Sequence, residues 1–220
     1  SGSRDAGGHA SGQVRHLRVV HPRPPAAPEI LRRLNENLPA DIAVLAVEEA
    51  HPRFHARHDA IARRYLYRIA TRKMAFAKKY VWWVKQPLDV ETMAEAAEKL
   101  AGRHDFIAFR AADAARPDES TIVVVDYASV TPQDGQILFR IEASHFLWRM
   151  VRRLVGTIVK LGAGEITMAD FDYLLSGRQH PRLDVAAWTA PSSGLFLEEV
   201  RYSAERRSEV RGPHRPARRR

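Results

Sequence analysis

The sequence predicts an α+β fold built on a mainly antiparallel sheet, and three observations carry that expectation. Strand-like and helical runs alternate, with no glycine-rich phosphate loop between them. Thr121 to Val130 and Gln136 to Ala143 are strand-like runs joined by Pro132-Gln133-Asp134-Gly135, the pattern of a hairpin. From Phe146 to Leu161, Leu147, Met150, Val151, Leu154, Val155, Ile158 and Leu161 recur at the i, i+3, i+4, i+7 spacing of a helix with one apolar face.

Taken in order, the chain begins with a glycine-punctuated loop, Arg4 to Val14, in which Gly7, Gly8 and Gly12 permit close backbone approach and Asp5 is presented to a ligand. On its own, Asp beside Gly is equally a plain turn. Gln13 to Val20 reads as a strand, broken off by Pro22, Pro24, Pro25 and Pro28. Glu29 to Asn35 reads as a short helix, and the turn Asn37 to Asp41 feeds a second strand, Ile42 to Val47. A domain junction is expected at His51-Pro52, so that residues 1–52 form one part and 53–203 another. Phe54 to Ala70 starts irregularly and becomes a strand near Arg64, with Tyr65, Tyr67 and Ile69 on one face and Arg64, Leu66 and Arg68 on the other.

Thr71 to Lys85 is a basic, aromatic connection holding Lys78, Lys79, Tyr80, Trp82 and Trp83. Interleaved aromatics and cations stack bases and hold phosphates. A short strand that sends one tryptophan to the core and the other to the surface fits the same residues. Asp89 is a candidate N-cap for a helix carrying Val90, Met93, Ala94, Ala97 and Ala101, ended by Gly102. Arg110 to Glu119 is a polar, alanine-rich loop before the hairpin. On the helix from Phe146, Arg149, Arg153 and Lys160 fall opposite the apolar stripe as a solvated face, whereas Arg152 falls at its edge, where its stem can pack and its guanidinium can meet a partner. Thr167 caps a last helix through Leu175, ended by Gly177, and Phe196 to Tyr202 supplies a final strand.

Composition narrows the function. With 220 residues there is length for one large domain or two small ones, and no apolar run approaches the ~18 residues of a membrane helix. No cysteine is present, which excludes disulfides and thiolate metal sites and fits a reducing, cytoplasmic compartment. A net charge of +9, dominated by arginine, favours a polyanionic partner. Residues 204–220 form a basic tail expected to be disordered, with seven arginines from Arg206 onward.

Four segments in this order carry a resemblance: the Asp5 loop; Phe54-His55-Ala56-Arg57 with Ala62-Arg63-Arg64-Tyr65-Leu66-Tyr67; Phe146 to Arg152; and Gly194-Leu195-Phe196-Leu197. Together they resemble the R-T-D-A-G-V-H loop, F-H-A-R and A-R-R-Y-x-Y segments, F-x-x-x-M-V-R helix and G-L-x-L strand of the bacterial tRNA pseudouridine synthase A family. Asn37 to Ile42 and Asp105 to Phe109 match smaller signatures. The likeness runs from residue 2 to about residue 202.

The resemblance implies two RNP/ferredoxin-like subdomains whose antiparallel sheets form a central cleft. It implies isomerisation of uridine to pseudouridine in the anticodon stem-loop of tRNA, with the base detached, rotated and rejoined through carbon, no cofactor and no metal. Asp5 falls on the catalytic aspartate. Tyr65 falls on the tyrosine that stacks on the target base, Arg152 on the basic residue that pairs with the catalytic carboxylate, Arg57 on an arginine that enters the target site, and Leu195 on a pocket-lining position. Arg4, His9, Arg63, Arg64, Lys78, Lys79 and Arg149 are the expected RNA contacts. The expected partners are tRNA and a second copy of the chain, with no membrane. The chain departs from the family in having Ser3-Arg4 where Arg-Thr is usual. It is also expected to be truncated at its N-terminus, since family members carry some fifty residues ahead of this loop.

Two further readings stand beside this one. His51, His55 and His58, or His9, His16 and His21, are candidate zinc ligands, although neither group has the H-E-x-x-H pattern. An RNA-binding remnant without catalysis, or a generic α+β interaction domain, would share the composition; only the first predicts salt-dependent RNA affinity.

Overall fold

The computed structural model describes residues 8–113 and 118–203. Their elements are β1 (His9–Ala10), α1 (Ala27–Asn37), β2 (Ala60–Ala70), β3 (Trp82–Trp83), α2 (Val90–Glu98), β4 (Gly102–Asp105), β5 (Ile122–Gln133), β6 (Gln136–Ala143), α3 (Met150–Gly162), α4 (Met168–Leu175) and β7 (Leu195–Tyr202). The α+β expectation holds. The strands form one sheet in the order β1-β7-β2-β6-β5-β4, with β3 paired to β2. The β2–β6, β5–β6 and β4–β5 pairings are antiparallel; the two-residue strands β1 and β3 pair in parallel with β7 and β2.

These residues fall into two compact units. One holds 8–13 and 60–201, the other 14–59 and 202–203. In the first, side-chain alternation sets one sheet face inward: Tyr65, Tyr67 and Ile69 lie opposite Ile141, Phe139 and Ile137, and all six are buried. The hairpin turns at Asp134-Gly135, where φ is +48° and +74°, the left-handed pair that matches strand twist in a two-residue loop. The first strand therefore runs on to Gln133, closer to the turn than the four-residue connection expected, while the second starts at Gln136 as expected. A register shift between Val125 and Tyr127 also escapes sequence periodicity. Val123 and Val125 are buried before it, Ala128 and Val130 after it. The inserted residue reverses the parity, so the apolar face stays inward along the whole of β5.

Helix α2 lies against β5 and α3. The Asp89 side chain accepts the Glu91 and Thr92 backbone N–H groups, and a capping box of Thr167 and Asp170 starts α4. Both carboxyls are held below the usual carboxylate range, first by the hydroxyls of Thr92 and Thr167 and then by backbone N–H groups. A depressed pKa stabilises the fold above the unfolded carboxylate value of about 4, and that stability is lost as pH falls through the lowered values. The thermal midpoint is therefore expected to fall below about pH 4, and to fall less in a D89N/D170N double variant; equal slopes in a pH series of melts would refute this.

The structure corrects the sequence reading in several places. The expected strand Gln13 to Val20 has no regular structure, and Leu17, Val19 and Val20 are exposed. No described strand pairs with it, and a strand without a ladder is unstable. Ile42 to Val47 is likewise not a strand. In its place the Asn35 side chain takes both backbone groups of Val44, donating to the carbonyl at 2.9 Å and accepting from the N–H at 2.7 Å. Helix α1 is longer than the expected Glu29–Asn35 and starts beside Pro28, whose fixed φ suits the first turn. Gly102, expected to end a helix, opens β4 with φ +103°. The helix expected from Phe146 begins at Met150, because Arg149 is left-handed, with φ +58°.

Candidate active site

The site grows from the buried face of β2. Alternation places Tyr65 and Tyr67 on that face, two residues apart. The Tyr67 hydroxyl donates to the Pro191 carbonyl at 2.6 Å, and its ring meets Trp82 edge-on. Burial pushes the Tyr67 phenol far above its ordinary value, with the positive charge of Arg152 opposing the shift. Tyr67 is therefore a neutral donor that ties strand to loop. The Tyr65 ring packs edge-to-face on Phe146 at 5.0 Å, and Tyr65 keeps 8% of its surface open.

Arg152, on the first turn of α3, reaches the same loop twice. Its Nε donates to the Ala190 carbonyl at 2.6 Å, and its own carbonyl accepts the Ala190 N–H at 3.1 Å. A guanidinium held at Nε has a fixed plane, which orients the remaining N–H groups. The loop comes this close because α3 presents Gly156, where a Cβ would lie 1.8 Å from the Trp188 carbonyl oxygen. At the other end, a Cβ on Gly194 would meet the Tyr67 ring and the Arg68 carbonyl at 2.7–2.8 Å. Leu195 follows, buried at the start of β7. Tyr67 and Arg152 are thus both held by the segment 188–195 that leads into Leu195, and Tyr65, on the same face of β2, packs on Phe146. Nothing in the sequence signalled that Pro191 would accept from Tyr67 or that Phe146 would pack on Tyr65. Loop carbonyls leave no periodic trace in a sequence.

Asp5 and Arg4 lie outside the described residues. The loop they belong to enters the described structure at β1, where Ser11 and Gly12 N–H both reach the Leu197 carbonyl. His9 is ordered by its Nε2–H donating to the Lys79 carbonyl at 3.0 Å and by ring contacts with Tyr80 and Phe196. Lys78 and Lys79 are exposed on a 3-10 turn. Arg149 is exposed, with its guanidinium over the Trp148 ring. Arg63 donates to the Ala60 and Ser144 carbonyls. Arg64 sits on the opposite face of β2, bound to Glu142 at 2.7 Å and Glu199 at 2.9 Å. Glu142 is 1% exposed and also holds Arg201, as a buried carboxylate must be paired. Arg57 is exposed in the other unit.

Arg153 departs from the solvated face expected of it. It is part-buried, donates to the Arg110 carbonyl, and has its pKa lowered by burial and by Arg149, with Asp184 opposing. The rings of His16, His55 and His58 meet in tilted contacts, His16–His55 at 4.5 Å and His55–His58 at 4.2 Å between centroids. The Nδ1 atoms of His16 and His55 accept backbone N–H groups. Among the described residues no group of three or more His, Asp or Glu side chains is arranged to hold a metal ion.

Comparison with known proteins accords with this geometry. A family profile described as tRNA pseudouridine synthase matches residues 96–203. The chain is 39% identical to tRNA pseudouridine synthase A of Paramagnetospirillum magneticum, over 93% of this chain and 78% of that protein. It is 37% identical to the same-named protein of Shouchella clausii, over 92% and 76%, and 35% identical to that of Limosilactobacillus fermentum, over 95% and 80%. These likenesses favour an enzyme over an RNA-binding remnant. At this identity and coverage, the chain belongs to the tRNA pseudouridine synthase A family, a family of isomerases.

Proposed function

We propose that this protein isomerises uridine to pseudouridine in the anticodon arm of tRNA, as a homodimer and without metal or cofactor. The observation that carries the reading is the 39% identity over 93% of the chain. The reaction needs no co-reactant. The glycosidic bond to nitrogen breaks, a bond from the sugar to carbon forms, and the proton leaving that carbon is balanced by one gained at nitrogen. In this reading the family's two RNP/ferredoxin-like subdomains flank a cleft that receives an extruded base.

Asp5 is the catalytic carboxylate. Arg152 is its cationic partner, and its Nε bond to Ala190 supports a guanidinium preset for a carboxylate. Tyr65 stacks on the base, supported from behind by Phe146. Leu195 lines the pocket, and Arg57 helps to displace the base. Arg4, His9, Arg63, Arg64, Lys78, Lys79 and Arg149 take the RNA; of these, Lys78, Lys79 and Arg149 are exposed in the described structure.

The test is pseudouridine formation on an unmodified tRNA transcript, in buffer containing a chelator. Turnover confined to anticodon-arm uridines is expected. No pseudouridine, or activity only with added metal, would overturn the reading.

A further inference from the structure

Between Thr71 and Gln86 the chain carries five basic residues, Arg72, Lys73, Lys78, Lys79 and Lys85, and no acidic one. The same stretch holds three exposed aromatic side chains: Phe76 at 103%, Tyr80 at 44% and Trp83 at 38%. A fully exposed Phe within a few residues of two exposed rings is costly in water unless a partner covers it.

The backbone beside Trp83 is well anchored. Val81 and Val84 are buried, the Val84 N–H donates to the Ala70 carbonyl at 3.0 Å, and Trp83 pairs with Ala70 at the end of β2. Trp82 turns inward to Tyr67, and Trp83 turns outward. The Lys73 and Lys85 ammonium groups lie over the Trp83 ring, 5.3 and 5.4 Å from its centroid. Neither has a hydrogen bond or a carboxylate partner among the described residues. Both can leave the ring for a phosphate without breaking an ion pair.

We infer that Phe76 and Trp83, ringed by Lys73, Lys78, Lys79 and Lys85, form a stacking platform for unpaired RNA bases outside the reacting pocket. Charge selects the occupant. Five cations without a carboxylate suit a phosphate chain, and flat exposed rings suit bases in any sequence. The inference rests on the proposed RNA substrate and adds where a second part of that RNA is held.

The test uses the full chain and an unmodified tRNA transcript. Trp83→Ala is expected to raise the Kd about tenfold, and Phe76→Ala severalfold. Trp83→Phe should return affinity to within about threefold of the parent, since a stacking face is restored. Lys73→Ala with Lys85→Ala should flatten the slope of log K against log salt by about 1 to 2. Single-turnover pseudouridine formation at saturating tRNA should not change, which places the effect in KM and separates it from damage to the site. Phe76 is fully exposed, so its replacement leaves the fold intact.

Parent-like affinity in both alanine variants, in a parent that makes pseudouridine, would discard the platform and leave the function standing. A parent that makes none, but loses tRNA affinity in Trp83→Ala, would sink the function and keep the platform. Loss of dimer mass by sedimentation at unchanged tRNA affinity would overturn the inference in favour of a contact between two copies of the chain.

Discussion

Asp5→Ala is expected to lower pseudouridine formation at least about a thousandfold, while leaving the tRNA Kd within about twofold. The two effects separate because they have different origins. Affinity for RNA comes chiefly from phosphates neutralised by Lys and Arg, and this chain has a formal charge of +9. Removing one carboxylate from a basic protein does not weaken that attraction. Chemistry at a glycosidic bond, in contrast, requires an ionised group beside the reacting nucleotide. Asp5→Asn tests the same point with the shape preserved, since an amide accepts hydrogen bonds but carries no charge. Rapid-quench assays at saturating tRNA supply the rate, and filter binding supplies the Kd. Turnover within tenfold of the parent in either variant would remove Asp5 from the mechanism.

Gly156→Ala is expected to destabilise the protein by about 3 kcal/mol. Helix propensity alone argues for the opposite sign, since alanine is about 1 kcal/mol better than glycine in a helix interior. The clash decides the outcome. A Cβ at 156 would lie 1.8 Å from the Trp188 oxygen and 2.8 Å from its carbonyl carbon, and both are backbone atoms with no rotamer to escape into. Either the helix or the segment 188–190 must move, and that segment carries the Ala190 groups bound to Arg152. For a chain of this size the melting midpoint should fall by roughly 6 to 12 °C. Activity should fall further than the folded fraction does. Gly164→Ala is the control: nothing lies within 4 Å of its Cβ, and only φ of +72° opposes the change. That strain costs about 1 kcal/mol. A Gly156 variant no less stable than the Gly164 variant would show that the loop is not held as described.

Much of the local structure could be read from the sequence because its cause is local. Asp89 and Thr167 announce the starts of α2 and α4, as a cap needs only a side-chain oxygen two or three residues from its donor. The alternation of Tyr65, Tyr67 and Ile69 marks the inward face of β2, and Asp134-Gly135 marks the hairpin. The family signatures around Tyr65, Arg152 and Leu195 were legible in the same way.

The misreadings share a physical reason. Gln13 to Val20 and Ile42 to Val47 have strand-like composition, but a strand exists only if a neighbour completes its ladder, and the described structure provides none. Arg153 has the wheel position of a surface residue, yet the carbonyl of Arg110 draws it inward. The left-handed turn at Arg149 follows from docking, since the Trp148 carbonyl is taken by the Ala111 N–H.

By itself, the sequence determined the helix caps and the inward face of the central strand, because each rests on spacing within a few residues. It also determined the α+β class and the family, because each rests on the order of such local patterns along the chain. Only the tertiary structure decided which runs became strands, that Arg152 and Tyr67 are held by neighbouring carbonyls at 190 and 191, and that Phe76 and Trp83 face solvent. Those outcomes depend on groups tens of residues apart, whose desolvation and hydrogen bonds are settled when the chain packs.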